Sequence, residues 1–140
     1  MSEKINVGIV GLGFGKEFIR IYQNHPNVDK VAICTRNPKT LQAIGEEFCI
    51  EESLRFSNFD DMVACQALDA IHVVTPIGEH AKQSLKSLNA GKHTACTVPM
   101  ATTVEDCKAI VEASKANNKL YMMMETAVYT REFLYIKDLV

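Results

Sequence analysis

The sequence predicts an α/β fold, with a doubly wound parallel sheet in a single domain of 140 residues. Short apolar runs alternate with helical patterns about five times along the chain, at the spacing of βαβ units. Residues 69–75 form an almost unbroken apolar run, which is typical of a parallel strand that is covered on both faces. A glycine-rich turn also joins the first strand directly to the first helix. Together these features predict an open sheet with helices on both faces.

The first predicted strand, residues 5–10, runs into the segment GLGFG at residues 11–15, and a helical pattern follows at once. The first N–H groups of a helix lack partners and its dipole attracts negative charge, so this turn is suited to bind phosphate. Gly11 suits the tight turn, and Gly13 lets a pyrophosphate approach the backbone. Lys16 occupies the third position of the G-x-G-x-x-G pattern, which predicts either a helix further from the sheet or an outward lysine.

The elements that follow are predicted from periodicity and capping residues. The first helix is expected to bury the apolar residues at helical spacing, Phe14, Phe18, Ile21 and Tyr22. Residues 28–35 read as a strand rich in small and β-branched residues, and Asn37 and Pro38 begin the second helix. The buried side of that helix is expected to contain Leu41, Ile44 and Phe48. A weaker pattern predicts a short strand at 54–56 and a short helix from Asn58.

His72 lies within the apolar strand 69–75 and is interpreted as a hydrogen-bonded core histidine. Residues 79–89 are predicted to be helical, and Gly91 ends that helix. The inward side of the helix is expected to contain Ala81, Leu85 and Leu88. Residues 93–97 form the next strand.

The last third of the chain repeats the alternation of helix and strand. Thr103 and Asp106 form a capping-box-like start to a helix. Its core-facing residues are expected to be Cys107, Ile110 and Val111. Residues 120–124 form one more strand, in which the methionines at 122–124 are interpreted as core residues. A final amphipathic helix begins near Thr130.

Composition narrows the class of protein. Hydrophobic residues make up 47% and charged residues 23%, and the net charge is −2. This balance gives no reason to expect nucleic-acid or membrane binding, and no apolar run approaches the ~20 residues of a membrane span. The five cysteines are widely separated and form no metal-type spacing with the histidines. We therefore expect free thiols, a cytoplasmic protein and no metal site.

The predicted strand ends carry turn and polar residues. In a doubly wound sheet, cofactors bind beyond the carboxyl ends of the strands, where the strand order reverses. Besides the glycine turn, those ends contain the segments Thr35-Arg36, Thr75-Pro76 and Thr97-Val98-Pro99. This arrangement predicts a Rossmann-type dinucleotide site.

Three segments, VGIVGLGFG, VVTPIGEH and LNAGKHTACTVPMA, resemble in order the motifs of the glucose–fructose oxidoreductase/inositol dehydrogenase (Gfo/Idh/MocA) family. The resemblance implies an NAD(P)-dependent oxidoreductase that acts on a sugar, cyclitol or related small molecule. It covers that family's N-terminal nucleotide-binding domain, here residues 1–125. Residues 126–140 would begin a hinge and helix leading to a second, sheet-based substrate domain that this chain does not contain.

The resemblance also implies roles for individual residues. Gly11 and Gly13 would hold the pyrophosphate, Thr35 and Arg36 would lie at the adenosine ribose, and His80 would lie near the nicotinamide half. The full set of cofactor-binding residues expected on this basis is Gly11, Gly13, Phe14, Thr35, Arg36, Thr75, Pro76, His80, Thr97 and Pro99. Arg36, in the place where NAD-specific sites have an acid, favours NADP over NAD.

One departure from the family concerns the chemistry. The family's Glu-Lys-Pro signature reads Thr97-Val98-Pro99 here, so the lysine that assists proton transfer is replaced by valine. The catalytic residue is therefore unknown, and the remaining candidates are His80, Glu125 and Tyr129.

Two other functions stay open at this stage. A non-catalytic dinucleotide-binding module is consistent with Val98 and with the missing substrate domain. An S-adenosylmethionine-dependent methyltransferase would also use a G-x-G-x-G loop, but such enzymes usually have an acid where Thr35 stands. The substrate, homo-oligomerisation and any continuation past Val140 are left undetermined.

Overall fold

The computed structural model describes residues 4–139, which form one six-stranded, all-parallel sheet with helices packed against it. The strands are β1 (Ile5–Val10), β2 (Val28–Cys34), β3 (Arg55–Phe56), β4 (Ala70–Val73), β5 (His93–Thr97) and β6 (Tyr121–Met124). The helices are α1 (Leu12–Gln23), α2 (Pro38–Glu47), α3 (Phe59–Ala64), α4 (His80–Asn89), α5 (Val104–Ala116) and α6 (Arg131–Leu139). The strand order is β3-β2-β1-β4-β5-β6, so it reverses between β1 and β4. The predicted doubly wound fold is confirmed.

The core lies on both faces of the central strands. Ile9 and Ile33 are fully buried beneath α1, while Ile71 and Val73 belong to β4 beside them. The packing of α1 depends on Gly15, since a Cβ at this position would lie 3.0 Å from Ile9 Cγ2. Gly15 therefore lets the helix approach the sheet closely. One of the two alternatives predicted for Lys16, a first helix lying further from the sheet, is therefore wrong.

Lys16 itself extends away from the sheet, which is the other alternative that the sequence allowed. Its ammonium group lies 2.9 Å from a Glu47 carboxylate oxygen and 5.8 Å from the centre of the Phe48 ring. Both partners belong to the end of α2. Lys16 thus helps to join two neighbouring helices on one face of the sheet.

The predicted helix caps are present. The Asn37 side chain accepts hydrogen bonds from the backbone N–H groups of Lys39 and Thr40, at 3.0 and 3.2 Å. The Thr103 hydroxyl accepts from the Asp106 N–H at 3.1 Å and donates to the Asp106 carboxylate at 2.8 Å. These bonds satisfy donors that the helix geometry leaves free.

The predicted buried face of α1 is partly wrong. Phe14 and Ile21 are 56% and 60% exposed, whereas Phe18 is buried. The helix begins at Leu12, directly after Gly11 and inside the segment GLGFG, and this start determines which of its residues are buried. The fully packed positions are Leu12, Gly15, Phe18 and Ile19.

Two further expectations about burial fail towards the edge of the sheet. Val111 in α5 is exposed, and Ile110 is the buried residue of that helix. Met122 and Met123 are also exposed, at 58% and 47%, and so are not core residues. β6 pairs with β5 on one side and is the edge strand of the sheet, so its side chains have few neighbours to bury them.

Candidate functional site

A cleft of about 850 Å³ opens at the carboxyl edge of the sheet, next to the reversal in strand order. It is bounded by the turns that follow β1, β2, β3 and β4 and by the first turns of α4. The residues that line it are Val10–Gly13, Cys34–Arg36, Ser57–Asp60, Val74–Pro76, Glu79, Lys82, Gln83 and Lys86. Six of the ten predicted cofactor residues are among them: Gly11, Gly13, Thr35, Arg36, Thr75 and Pro76.

The glycine turn forms a cradle at the start of α1. Gly11 has φ +92°, and a Cβ there would lie 2.4 Å from the Val74 carbonyl oxygen, so only glycine fits. A Cβ on Gly13 would meet nothing within 4 Å, and Gly13 faces the cleft. The N-terminus of α1 has no side-chain cap. Backbone N–H groups at this end are therefore directed into an open, ligand-sized space.

The ends of β2 and β3 form the wall on one side. Thr35 is tied to β3, because its N–H donates to the Phe56 carbonyl at 3.1 Å. The next residue, Arg36, is exposed and lines the cleft. Asn58 caps α3 by accepting from the Asp60 N–H at 2.9 Å. The Arg36 side chain and the start of α3 therefore line the part of the cleft next to β2 and β3.

The wall formed by α3 and α4 was not found from the sequence. Asp60 of α3 forms an ion pair with Lys86 of α4, and both residues line the cleft. Lys82 and Gln83 belong to the same face of α4. In the sequence, the helical spacing of these polar residues indicates only a solvent-exposed face of a helix. It does not predict that they line a cleft, because α3 and α4 come together only in the folded chain.

Thr75, just after β4, is hydrogen-bonded to a side chain of α4. Its hydroxyl donates to the Gln83 side-chain oxygen at 2.7 Å. Thr75 is half-buried and lines the cleft. This bond fixes the side chain at the point where the strand order reverses.

The other four predicted cofactor residues lie outside the cleft that the described residues enclose. Phe14 is exposed and packs edge-on against Phe18, with ring centres 5.3 Å apart. Thr97 directs its hydroxyl to the Val73 carbonyl at 3.4 Å. His80 is 1% exposed, and its ring nitrogens lie 2.8 Å and 2.7 Å from the carbonyl oxygens of Thr75 and Pro99.

Neither remaining catalytic candidate reaches the cleft. The Glu125 carboxylate accepts a hydrogen bond from the Ala127 N–H at 2.8 Å, within its own turn. Tyr129 is exposed at the surface beyond β6. Cys34 does line the cleft, but burial raises the pKa of its thiol to about 12. This thiol therefore stays protonated and is a poor nucleophile.

The chain matches the family described as "Oxidoreductase family, NAD-binding Rossmann fold" (Gfo/Idh/MocA) over residues 5–125. It belongs to this family. The match covers all six strands and includes the glycine turn, so the chain contains the NAD-binding domain of the family. The recognition made from the sequence motifs is thereby confirmed.

Solved structures of family relatives have the same fold. Scyllo-inositol dehydrogenase from Lactobacillus casei, with bound NAD(H) and scyllo-inositol, is 29% identical with a TM-score of 0.84. The WlbA dehydrogenase from Bordetella pertussis, in complex with NADH and UDP-GlcNAcA, is 30% identical with a TM-score of 0.85. The alignments cover 98% and 97% of this chain, and 41% of each relative.

Curated relatives are not all dehydrogenases. The 2,7-anhydro-N-acetylneuraminate hydratase of Escherichia coli is 32% identical over 119 residues, which is 84% of this chain and 31% of the relative. The chain thus spans about a third of the curated relatives that it matches. The relatives of this chain thus include a hydratase as well as dehydrogenases.

Val98, the residue expected from the sequence resemblance to replace the family's lysine, lies directly after β5. The bond from Val98 to Pro99 is cis. Valine has no titratable group, so this position cannot donate or accept a proton. No described helix is long and apolar enough to cross a membrane, and residues 4–139 contain no group of three or more His, Cys, Asp or Glu able to hold a metal ion.

Proposed function

We propose that this chain forms the dinucleotide-binding half of an NAD(P)-dependent oxidoreductase acting on a sugar, cyclitol or related hydroxyl or carbonyl compound. The observation that carries the proposal is the glycine cradle at the start of α1, in which Gly13 opens into the cleft. A bound nicotinamide cofactor would supply the hydride chemistry. The protein's part is to bind and orient that cofactor and to control protons.

The residues present fit a dinucleotide. The N–H groups at the start of α1 would hold the pyrophosphate, and Gly11 and Gly13 leave room for it. Thr35 and Arg36, which line the cleft, would hold the adenosine ribose, and Thr75, fixed by Gln83, would contact the cofactor where the strand order reverses. The part of the cleft over β1 to β3 would thus take the adenosine half.

The proton that accompanies hydride transfer has no donor or acceptor among the catalytic candidates that the sequence offered. Val98 cannot serve, and the ring nitrogens of His80 both face backbone carbonyls. Glu125 and Tyr129 lie outside the cleft. Because relatives are more than twice as long as this chain, we place the missing acid or base in the remainder of the protein. The free cysteines are consistent with a cytoplasmic location.

The cradle is tested by replacing Gly13 with leucine. The new side chain has room in the folded chain, so the fold should persist while the pyrophosphate is blocked. Losing even one hydrogen bond to a charged group weakens binding about tenfold or more. Calorimetric titration with NADH measures this loss. Ala116→Leu, which introduces the same side chain at an exposed site in α5, is the control. Unchanged affinity in Gly13→Leu would contradict the site.

The cofactor preference is tested at Arg36. A guanidinium meets a 2′-phosphate with two parallel hydrogen bonds, so we expect Arg36→Ala to weaken NADPH binding about tenfold to a hundredfold. NADH binding should change little. Lys39→Ala removes a nearby exposed cation that does not line the cleft, and so controls for overall charge. Equal weakening of both cofactors by Arg36→Ala would rule out the phosphate contact.

A further inference from the structure

An ion pair between two helices forms part of the cleft wall. Lys86 of α4 donates to a carboxylate oxygen of Asp60 in α3, and both residues line the cleft. Their side chains are 43% and 60% exposed. An exposed ion pair contributes little to the free energy of unfolding, because water screens its charges. The distinctive property of this pair is therefore its position on the cleft, where a ligand can reach both charges.

The other two ion pairs within residues 4–139 do not line the cleft. Lys16–Glu47 joins α1 to the end of α2, and Lys30–Glu51 joins β2 to the segment before β3. In the described part of the chain, the pair between α3 and α4 is thus the one that offers a cation and an anion side by side to a ligand in the cleft.

Asp60 retains free capacity to accept hydrogen bonds. The side-chain oxygens of two neighbours each accept one already, Gln83 from the Thr75 hydroxyl at 2.7 Å and Asn58 from the Asp60 N–H at 2.9 Å. A carboxylate has about four lone-pair positions on two oxygens. Lys86 donates to one of these oxygens. The other oxygen can therefore accept from a ligand.

The position of the pair relates it to the adenosine half of the cofactor. In the proposed site that half takes the cleft over β1 to β3, and α3 is the helix that follows β3. Among the described residues, the other carboxylate that lines the cleft is Glu79. Glu79 follows β4, which β1 separates from β2. Asp60 is thus the carboxylate on the adenosine side.

Adenine and this ion pair have complementary hydrogen-bonding groups. The adenine amino group donates, and the adjacent ring nitrogen N7 accepts. Asp60 accepts, and the Lys86 ammonium beside it has three N–H donors, of which one is directed to Asp60. Hypoxanthine has an oxygen in place of the amino group. With that base, the Asp60 carboxylate would face a second acceptor and make no hydrogen bond to it.

We propose that Asp60 and Lys86 select adenine as the base of the bound cofactor. Asp60 accepts a hydrogen bond from the amino group, and Lys86 donates to the neighbouring ring nitrogen. The inference rests on the proposed dinucleotide site and deepens it, because it adds recognition of the base to binding of the phosphates and ribose. It gives a function to the α3–α4 wall, which no sequence motif marks.

Calorimetric titration with ADP and inosine diphosphate tests the selection, because the two ligands differ only in the base. We expect the native chain to bind ADP about tenfold more tightly, as a matched pair of base contacts provides. Asp60→Asn exchanges an acceptor oxygen for a donor and should reduce this preference to about twofold or less. Lys86→Met keeps an unbranched side chain without the donor and should weaken ADP binding about threefold or more.

Glu51→Gln is the matched control, because it removes the carboxylate charge from an exposed ion pair outside the cleft. It should leave both affinities unchanged. A second measurement uses the native chain. The carboxyl-carbon resonance of Asp60 should move more on saturation with ADP than on saturation with inosine diphosphate. Equal movement would overturn the proposal, so this measurement decides the matter even where Asp60→Asn does not fold.

The ligands separate failure of base selection from failure of the site. Equal affinity of the native chain for ADP and inosine diphosphate would overturn the selection and leave the dinucleotide site standing. A full preference for ADP in Asp60→Asn would do the same. A native chain that binds neither diphosphate nor NADH would overturn the proposed site, and the selection with it.

Discussion

At the scale of single residues, His72 combines complete burial with an incomplete set of hydrogen bonds. Its Nδ1 lies 3.2 Å from the Tyr22 hydroxyl, and its ring packs edge-on against Phe18 with centres 4.7 Å apart. Its Nε2 has no partner among the described residues. The sequence-based interpretation of a hydrogen-bonded core histidine is thus right for one nitrogen and wrong for the other. Burial lowers the pKa of His72 to about 4, so the ring is neutral.

This shift predicts acid sensitivity. In the unfolded chain His72 binds a proton below about pH 6.5, whereas in the folded chain it stays neutral down to about pH 4. Between these two values the unfolded state binds more protons, so the free energy of unfolding decreases as the pH falls from about 6.5 to about 4. The shift corresponds to about 3 kcal/mol at most. Urea unfolding across that range should show a smaller decrease for His72→Gln than for the native chain. Parallel curves for the two proteins would contradict the prediction.

At the scale of elements, three helices end in the same backbone motif. Each of α2, α4 and α5 is followed by a residue with positive φ, whose N–H donates to a backbone carbonyl in the last turn of the helix. The N–H of the next residue donates to the carbonyl of the residue before that acceptor. This pairing satisfies carbonyls that the helix end leaves free. The residues with positive φ are Cys49 at 52°, Gly91 at 76° and Asn118 at 50°. Gly91 was predicted as a helix stop, and Asn118 also fits the preference for glycine or asparagine at this position, whereas Cys49 does not.

Cys49 is therefore a strained site at which glycine should be better. Cys49→Gly should raise the free energy of unfolding by about 1 kcal/mol, since glycine adopts this conformation without steric cost. Urea unfolding measures the change. Cys49→Ala removes the thiol but keeps the Cβ, so it should have no such benefit. Equal stabilisation by alanine and glycine would show that the thiol, and not the backbone, causes the effect.

At the scale of the whole molecule, the strand order brings distant segments to one edge. Residues from Val10 to Lys86 meet in the cleft because four parallel strands end there and the order reverses between β1 and β4. The side of the sheet at β6 is less covered. β6 is an edge strand, and every described residue of α6, which follows it, is exposed.

This architecture predicts binding without turnover for the 140-residue chain alone. It should bind NADH but produce no NAD(P)H from polyols, because Val98 offers no proton and none of the candidates His80, Glu125 and Tyr129 lines the cleft. General acid–base catalysis is typically worth 10²- to 10⁴-fold in rate. Absorbance assays with a panel of polyols, on protein shown to bind NADH, measure this. Reproducible turnover above a blank containing only cofactor would refute it.

Local chemistry in the sequence was sufficient for the fold class and for six of the residues that line the cleft. Strand and helix periodicity predicts the alternation, and the Asn37 and Thr103 caps act within three residues of themselves. Gly11 and Gly13 could be recognised because the turn between a strand and a helix is itself local. Arg36 followed from its place after the second strand.

The tertiary structure decided everything that depends on how elements meet. The start of α1 at Leu12 determined that Gly15 faces the sheet and that Phe14 and Ile21 do not. The Asp60–Lys86 pair exists because folding brings α3 and α4 together in one wall of the cleft. His80 became a bridge only when β4 and β5 paired. Sequence periodicity shows which residues share a face of one element, whereas only the packed chain determines what that face meets.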